Sequence, residues 1–150
     1  MARYSLGFQR SALTAAGPIV DLAASATDRL RLLELGVFVS AATGTTPVLT
    51  MGLFRSTALG TRTTPTTVLA EDNADAAGTA TVATAFTVNP TNAAAPLRRF
   101  VVNGVGQGIV WTWPQNGLMV ANSLSLVLQA ITVAGTSPSF TLDGYLVIDE

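Results

Sequence analysis

The chain is written almost throughout in short runs in which apolar and polar positions alternate, broken by Gly, Pro and Asn. Alternation with a period of two sends successive side chains to opposite faces of an extended chain, so each run reads as a strand. Arg3 to Gln9 (RYSLGFQ) is the first, followed by a small-residue link to Pro18 and a short extended piece, PIVDLAA. Asp28 to Ala42 (DRLRLLELGVFVSAA) holds good helix formers up to Leu35, but Gly36 and the β-branched, aromatic VFV decide for strand. Strict alternation there puts Leu33, Leu35, Val37 and Val39 on one face and Leu30, Leu32, Glu34 and Phe38 on the other. Both faces are then apolar, which predicts that the second is covered by a sheet, a loop or a neighbouring chain.

TTP leads into another strand, Val48 to Ser56, after which ALGTRTTPTT (Ala58 to Thr67) reads as an exposed loop. Val68 to Ala80 begins as strand and passes through an acidic turn, Thr81 to Val88 is a β-branched strand, and NPTNAAAPL is a second polar link. The last third is denser: RRFVV, IVWTW, LMVA, SLSLVLQAITV and FTLDGYLVIDE, separated by the turns NGVGQG, PQNG and AGTSP. The final strand sets Phe140, Leu142, Leu146 and Ile148 against Thr141, Asp143, Tyr145 and Val147. These spacings predict an all-β protein, an antiparallel two-sheet β-sandwich of jelly-roll type with eight to ten short strands, in one domain over residues 1–150. No heptad and no fixed-period repeat appears.

Composition narrows the chemistry. There is no Cys and no His, which excludes disulfides and removes the commonest zinc ligands and the commonest general base near neutral pH. Basic and acidic residues number 8 and 9, for a net charge of −1, and every basic residue is arginine. That balance does not suit a protein that coats nucleic acid. Only 11% of residues are charged, against roughly 25% in an ordinary soluble domain. A surface so poor in charge opposes self-association weakly and suits a protein packed against neighbours. No apolar run approaches a helical membrane span, MARYSLGFQR does not read as a signal peptide, and the low aromatic content speaks against a transmembrane barrel.

Few residues are candidates for a site. EDNAD (Glu71 to Asp75) offers oxygen ligands at alternating positions but lacks the loop of a calcium site, and reads as a polar turn with Asx-type capping. Glu34 and Asp143 are the strand-borne carboxylates that a glycosidase would need in facing positions, and no sequence feature brings them together. No cofactor, metal site or catalytic residue is expected. Arg98 and Arg99 start a strand and point to opposite faces, and arginine suits bidentate pairing at protein contacts. Trp111 and Trp113, the only tryptophans, share one face of IVWTW with Ile109. Core burial, a partner interface and a sugar platform are all open to them. The polar side chains that a sugar platform needs are scarce in the neighbouring sequence beyond Gln107, Gln115 and Asn116, which favours the first two. Phe38 joins Trp111, Trp113, Arg98 and Arg99 as a possible core or partner anchor.

The stretches YSLGF, RLRLLELGVF, LAEDNADAAGTAT, LRRF, GIVWTWPQNGLMV and YLVIDE together resemble a group of small virion proteins of tailed bacteriophages. The resemblance implies a non-enzymatic structural role, foremost as a capsid decoration or cement protein on the outer surface of the virion, with the major capsid protein as partner. It implies a homo-oligomer, with a trimer favoured, and no direct contact with nucleic acid or membrane. A receptor- or carbohydrate-binding β module of a tail or head fibre is the alternative.

Overall fold

A computed structural model describes residues 2–114 and 116–150. The described chain is all-β, and every strand pairing is antiparallel. Among the described residues thirteen strands replace the expected eight to ten, and two of them are not short. β3 runs unbroken from Leu30 to Ala58 (29 residues) and β13 from Ser125 to Asp149 (25 residues). Each takes in two of the strands expected from sequence together with the turn between them. They pair along nearly their whole length, Leu126 opposite Arg55 at one end and Asp149 opposite Arg31 at the other.

Both strands bend at the same place. The turn signals GTTP and AGTSP lie opposite each other in this pair, and each bends the ribbon without ending it. Gly44 (φ 98°) and Gly135 (φ 120°) occupy backbone conformations that strain any other residue. A Cβ at Gly44 would also stand 2.7 Å from the carbonyl oxygens of Thr136 and Ser137, and one at Gly135 would stand 2.9 Å from that of Thr45.

The bend divides the main sheet into two leaflets. In the first, Leu30 to Ala42 of β3 and Ser139 to Asp149 of β13 lie between β1 (Arg3–Leu13) and the pair β11 (Gly108–Thr112) and β12 (Leu118–Val120). In the second, the other halves of β3 and β13 lie between β10 (Arg98–Val102) and β2 (Gly17–Ala23), beyond which comes β7 (Thr81–Ala83). The leaflets face each other: Val20, Leu22, Leu53, Leu126 and Leu128 of the second meet Leu32, Leu35 and Leu146 of the first around one small void. Two short strands flank buried Val68 and stitch one side shut, because β5 (Thr66–Thr67) pairs with β7 in the second leaflet and β6 (Leu69–Ala70) with β1 in the first. The result is a nearly closed antiparallel barrel, open along the side where β10 and β11 form the edges.

The two apolar faces expected of Asp28 to Ala42 are corrected by a β-bulge. Val147 pairs with Glu34 but Ile148 pairs with Leu32, so Leu33 is an extra residue on β3. One extra residue reverses the parity of everything beyond it. Leu30 and Leu32 therefore turn inward with Leu35, Val37 and Val39, all buried, and only Phe38 of the supposed second apolar face is left outside. No covering layer lies over the outer face of this leaflet among the described residues, with Phe38 41% and Val110 43% exposed. The bulge also withdraws the surplus apolar face as a reason to expect an oligomer.

The covered outer face belongs to the second leaflet. Phe54, Val127, Asp21 and Ala83 form a cross-strand row there, and all four are buried. Over it lies the small second sheet of β4 (Thr61–Thr63) and β8 (Ala85–Val88), with Arg62 of β4 donating to Thr81 Oγ1 at 2.7 Å. β9 (Thr91–Asn92) pairs with the end of β3. The expected loop at Ala58 to Thr67 is thus exposed but carries β4 and β5, and the expected strand Thr81 to Val88 breaks at Thr84 to serve two sheets.

Candidate functional site: an open edge and an adjoining trough

β10 and β11 pair with β3 on one side only. The turn between them folds back on itself and on β3: the Asn103 N–H donates to Gln107 Oε1 at 2.8 Å, Gln107 Nε2 donates to Asn103 Oδ1 at 2.7 Å, and the Val39 N–H donates to the Gln107 carbonyl. The far-side N–H and C=O groups of both strands are left without a strand partner among the described residues. Natural proteins usually blunt such edges with lysine, proline or inward charge. Here the edges carry exposed Val101 and Val110, with Val105 exposed in the turn between them, Met119 on neighbouring β12 and Phe38 on β3. Phe38 lies across Gly108, its cross-strand partner on β11, where an added methyl group would collide with the ring.

All five anchor candidates fall on or next to these edges. Arg98 and Arg99 are exposed at the far end of β10, with Arg98 Nη1 donating to the Leu97 carbonyl at 3.0 Å. Trp111 and Trp113, both half-buried and packed against the core, part company in their roles. Trp111 pairs with buried Leu35, on the core side of β11. Trp113 lies beyond the end of β11, its N–H donating at 2.8 Å to the carbonyl of the bulged Leu33, and it lines a trough on the outside of the sheet.

That trough measures about 450 Å³ and crosses β11, β3, β13 and β1. Trp113 and Pro114 wall one end, Leu33 and Val147 lie along it, and Thr112, Glu34, Asp149, Arg3 and Glu71 supply its polar groups. The Tyr145 hydroxyl donates to Glu34 Oε1 at 2.6 Å, and Arg3 Nε stands 3.6 Å from Asp149 Oδ1. The bond to Glu34, with lesser contributions from burial and from the Glu34 charge, raises the Tyr145 pKa above its ordinary value. Polar companions for a tryptophan are therefore present, correcting the scarcity read from the neighbouring sequence. They come from residues 3, 34, 71 and 149, where no local signal ties them to Trp113. Of the local candidates, Gln107 is engaged in the β10–β11 turn and Gln115 lies outside the described residues.

The remaining candidates separate. Asp72 caps its own turn, its Oδ1 accepting from the Ala74 N–H at 2.9 Å and its carbonyl from the Asp75 N–H at 3.0 Å. Among the described residues no group of three or more metal-ligating side chains forms. Glu34 and Asp143 share the outer face of the first leaflet, but Glu34 pairs with Val147, four residues along β13 from Asp143. At about 3.3 Å per residue they are roughly 13 Å apart along the strand, beyond the reach of a glycosidase pair. The Ser40 hydroxyl and the Gln9 amide, the latter at 2.7 Å, lower the Asp143 pKa.

Asp21, which no pattern in the sequence marks, is the one fully buried carboxyl group among the described residues. Neither of its carboxylate oxygens has a partner in hydrogen-bonding geometry. Burial pushes its pKa up to about 6, against the opposing pull of the Arg62 charge and the neighbouring Ser125 hydroxyl.

No family model matches this chain, and neither the curated proteins nor the solved structures yield a match.

Proposed function

We propose that this chain is a non-enzymatic structural protein of a tailed-phage virion, a decoration protein that adds contacts between major capsid subunits on the outer surface of the particle. The observation that carries the reading is the open side of the barrel. Two strand edges without partners among the described residues, carrying exposed Val101 and Val110 with Val105 in the turn between them, are suited to strand addition or edge-to-edge docking with another protein. Arg98 and Arg99 at the same edge are placed for bidentate pairing with carboxylates of a partner. The scarcity of charge and the resemblance of the sequence to small virion proteins agree with this.

In the same proposal the folded sheet is a jelly-roll-type β-sandwich, its leaflets joined at the shared bend of β3 and β13. The oligomer is a trimer, its copies meeting at the open edges and seated on three-fold positions of the lattice. Binding to the assembled lattice and not to free subunits raises the free energy of particle disruption by mass action. Localisation on intact particles by high-resolution electron microscopy tests it. Density over the junctions between capsid subunits is expected, and density confined to the tail refutes it.

A further inference from the structure

We propose that the trough walled by Trp113, with Glu34, Glu71, Asp149, Arg3 and Thr112 as its polar groups, is a binding site for a neutral saccharide. The inference goes beyond the structural role and holds wherever on a particle the protein resides.

The trough joins one large aromatic side chain to a set of donors and acceptors, on the outer face of the first leaflet, which no other layer of the described residues covers. Each hydroxyl of a sugar both donates and accepts, so a ligand of this kind needs the two kinds of group side by side. Glu34, Glu71 and Asp149 accept, Arg3 donates, and the Thr112 hydroxyl does either. One of the carboxylates is held in place. Tyr145 fixes Glu34 through Oε1, while Arg3 Nε stands 3.6 Å from Asp149 Oδ1 in an exposed ion pair, and the second oxygen of each carboxylate is without a donor among the described residues. An acceptor held in this way loses little freedom on binding, the condition under which a few hydrogen bonds give useful affinity. The trough spans four strands, about 14 Å at a strand spacing of about 4.8 Å, enough for roughly two to three sugar rings in a row.

Other ligand classes fit less well. Three carboxylates against one guanidinium repel an anionic ligand. The open, mixed lining offers no enclosed apolar chamber for a lipid tail. A cationic peptide would be drawn by the three carboxylates but would make no use of the Arg3 guanidinium beside them, whereas a neutral polyol bonds to both kinds of group.

The test titrates the full chain with maltohexaose, cellohexaose and chitohexaose in turn, by calorimetry and by tryptophan fluorescence, with a hexaarginine peptide as comparison. At least one saccharide is expected to bind with a millimolar or tighter Kd. That affinity is expected to fall roughly tenfold in Glu34→Gln and in Glu71→Gln, as for loss of a hydrogen bond to a charged group. Glu71 lies in an exposed turn, so its variant keeps the test independent of folding. Trp113→Phe is expected to weaken binding and remove the fluorescence response, while Trp111→Phe leaves both intact. Failure of all three saccharides to bind, binding undiminished in both glutamine variants, or binding of hexaarginine alone overturns the proposal.

Discussion

Replacing Asp21 with asparagine should make the protein more stable near neutral pH and should flatten the dependence of its stability on pH. The carboxylate is fully buried on the covered face of the second leaflet, and its pKa is raised to about 6. A carboxyl group whose pKa is higher folded than unfolded binds its proton more tightly in the folded state. Below the unfolded value both states are protonated and the fold bears no charge penalty. As pH rises from about 4 to about 6 the unfolded chain gives up the proton first, and stability falls until the folded group has also ionised. A shift of about two units at about 1.4 kcal/mol each makes this fall roughly 3 kcal/mol. Asparagine keeps the shape and never ionises, although its buried amide goes without a ready partner at about 1 kcal/mol. The net gain at pH 7 is then about 2 kcal/mol.

Urea unfolding of both proteins at half-unit steps from pH 4 to 8 reads the effect. Asp28 and Asp143, whose pKa values are lowered by hydrogen bonds, give slopes of the opposite sign, but these are common to both proteins and cancel in the difference. The wild-type minus variant curve should fall across pH 4 to 6 and then level. A flat difference would refute the reasoning, because it would mean that the carboxylate is hydrated or fully paired with Arg62 in solution.

Removing the Arg62 charge with Arg62→Gln should deepen the same fall and carry it to higher pH, since that guanidinium is the larger of the two groups that oppose the rise in the Asp21 pKa; a fall that still levels at the wild-type pH in urea titrations would contradict this. Gly135→Ala should cost about 1–3 kcal/mol by placing a side chain at φ 120° beside the Thr45 carbonyl, measurable as a lower urea midpoint, whereas Gly104→Ala, where an added Cβ meets nothing, should cost under about 1 kcal/mol. Trp111→Ala should destabilise by roughly 3 kcal/mol through loss of the ring packed opposite Leu35, read from denaturant unfolding. The double variant Val101→Lys, Val110→Lys should leave monomer stability within about 0.5 kcal/mol of wild type and shift sedimentation at micromolar protein toward the monomer, and an unchanged species distribution would count against the edge as a contact.

Sequence alone determined that the chain is all-β, and it determined the inward face wherever a strand keeps strict alternation. Phe140, Leu142, Leu146 and Ile148 are buried as their spacing requires, because a period of two is a local property of the extended backbone. The acidic turn at Asp72 was legible for the same reason, its capping bonds lying within a few residues. Parity across Leu33 was not legible. The bulge exists because β13 pairs Val147 with Glu34 and Ile148 with Leu32, and a register between residues over a hundred positions apart leaves no mark on either segment alone. Nor does GTTP or AGTSP announce whether it ends a strand or bends one; that depends on the two turns lying opposite each other in the β3–β13 ribbon. The trough follows the same rule. Trp113 was visible as an aromatic, but Arg3, Glu34, Glu71 and Asp149 become its neighbours only when four strands stand side by side, since contacts across a sheet are set by pairing and not by distance along the chain.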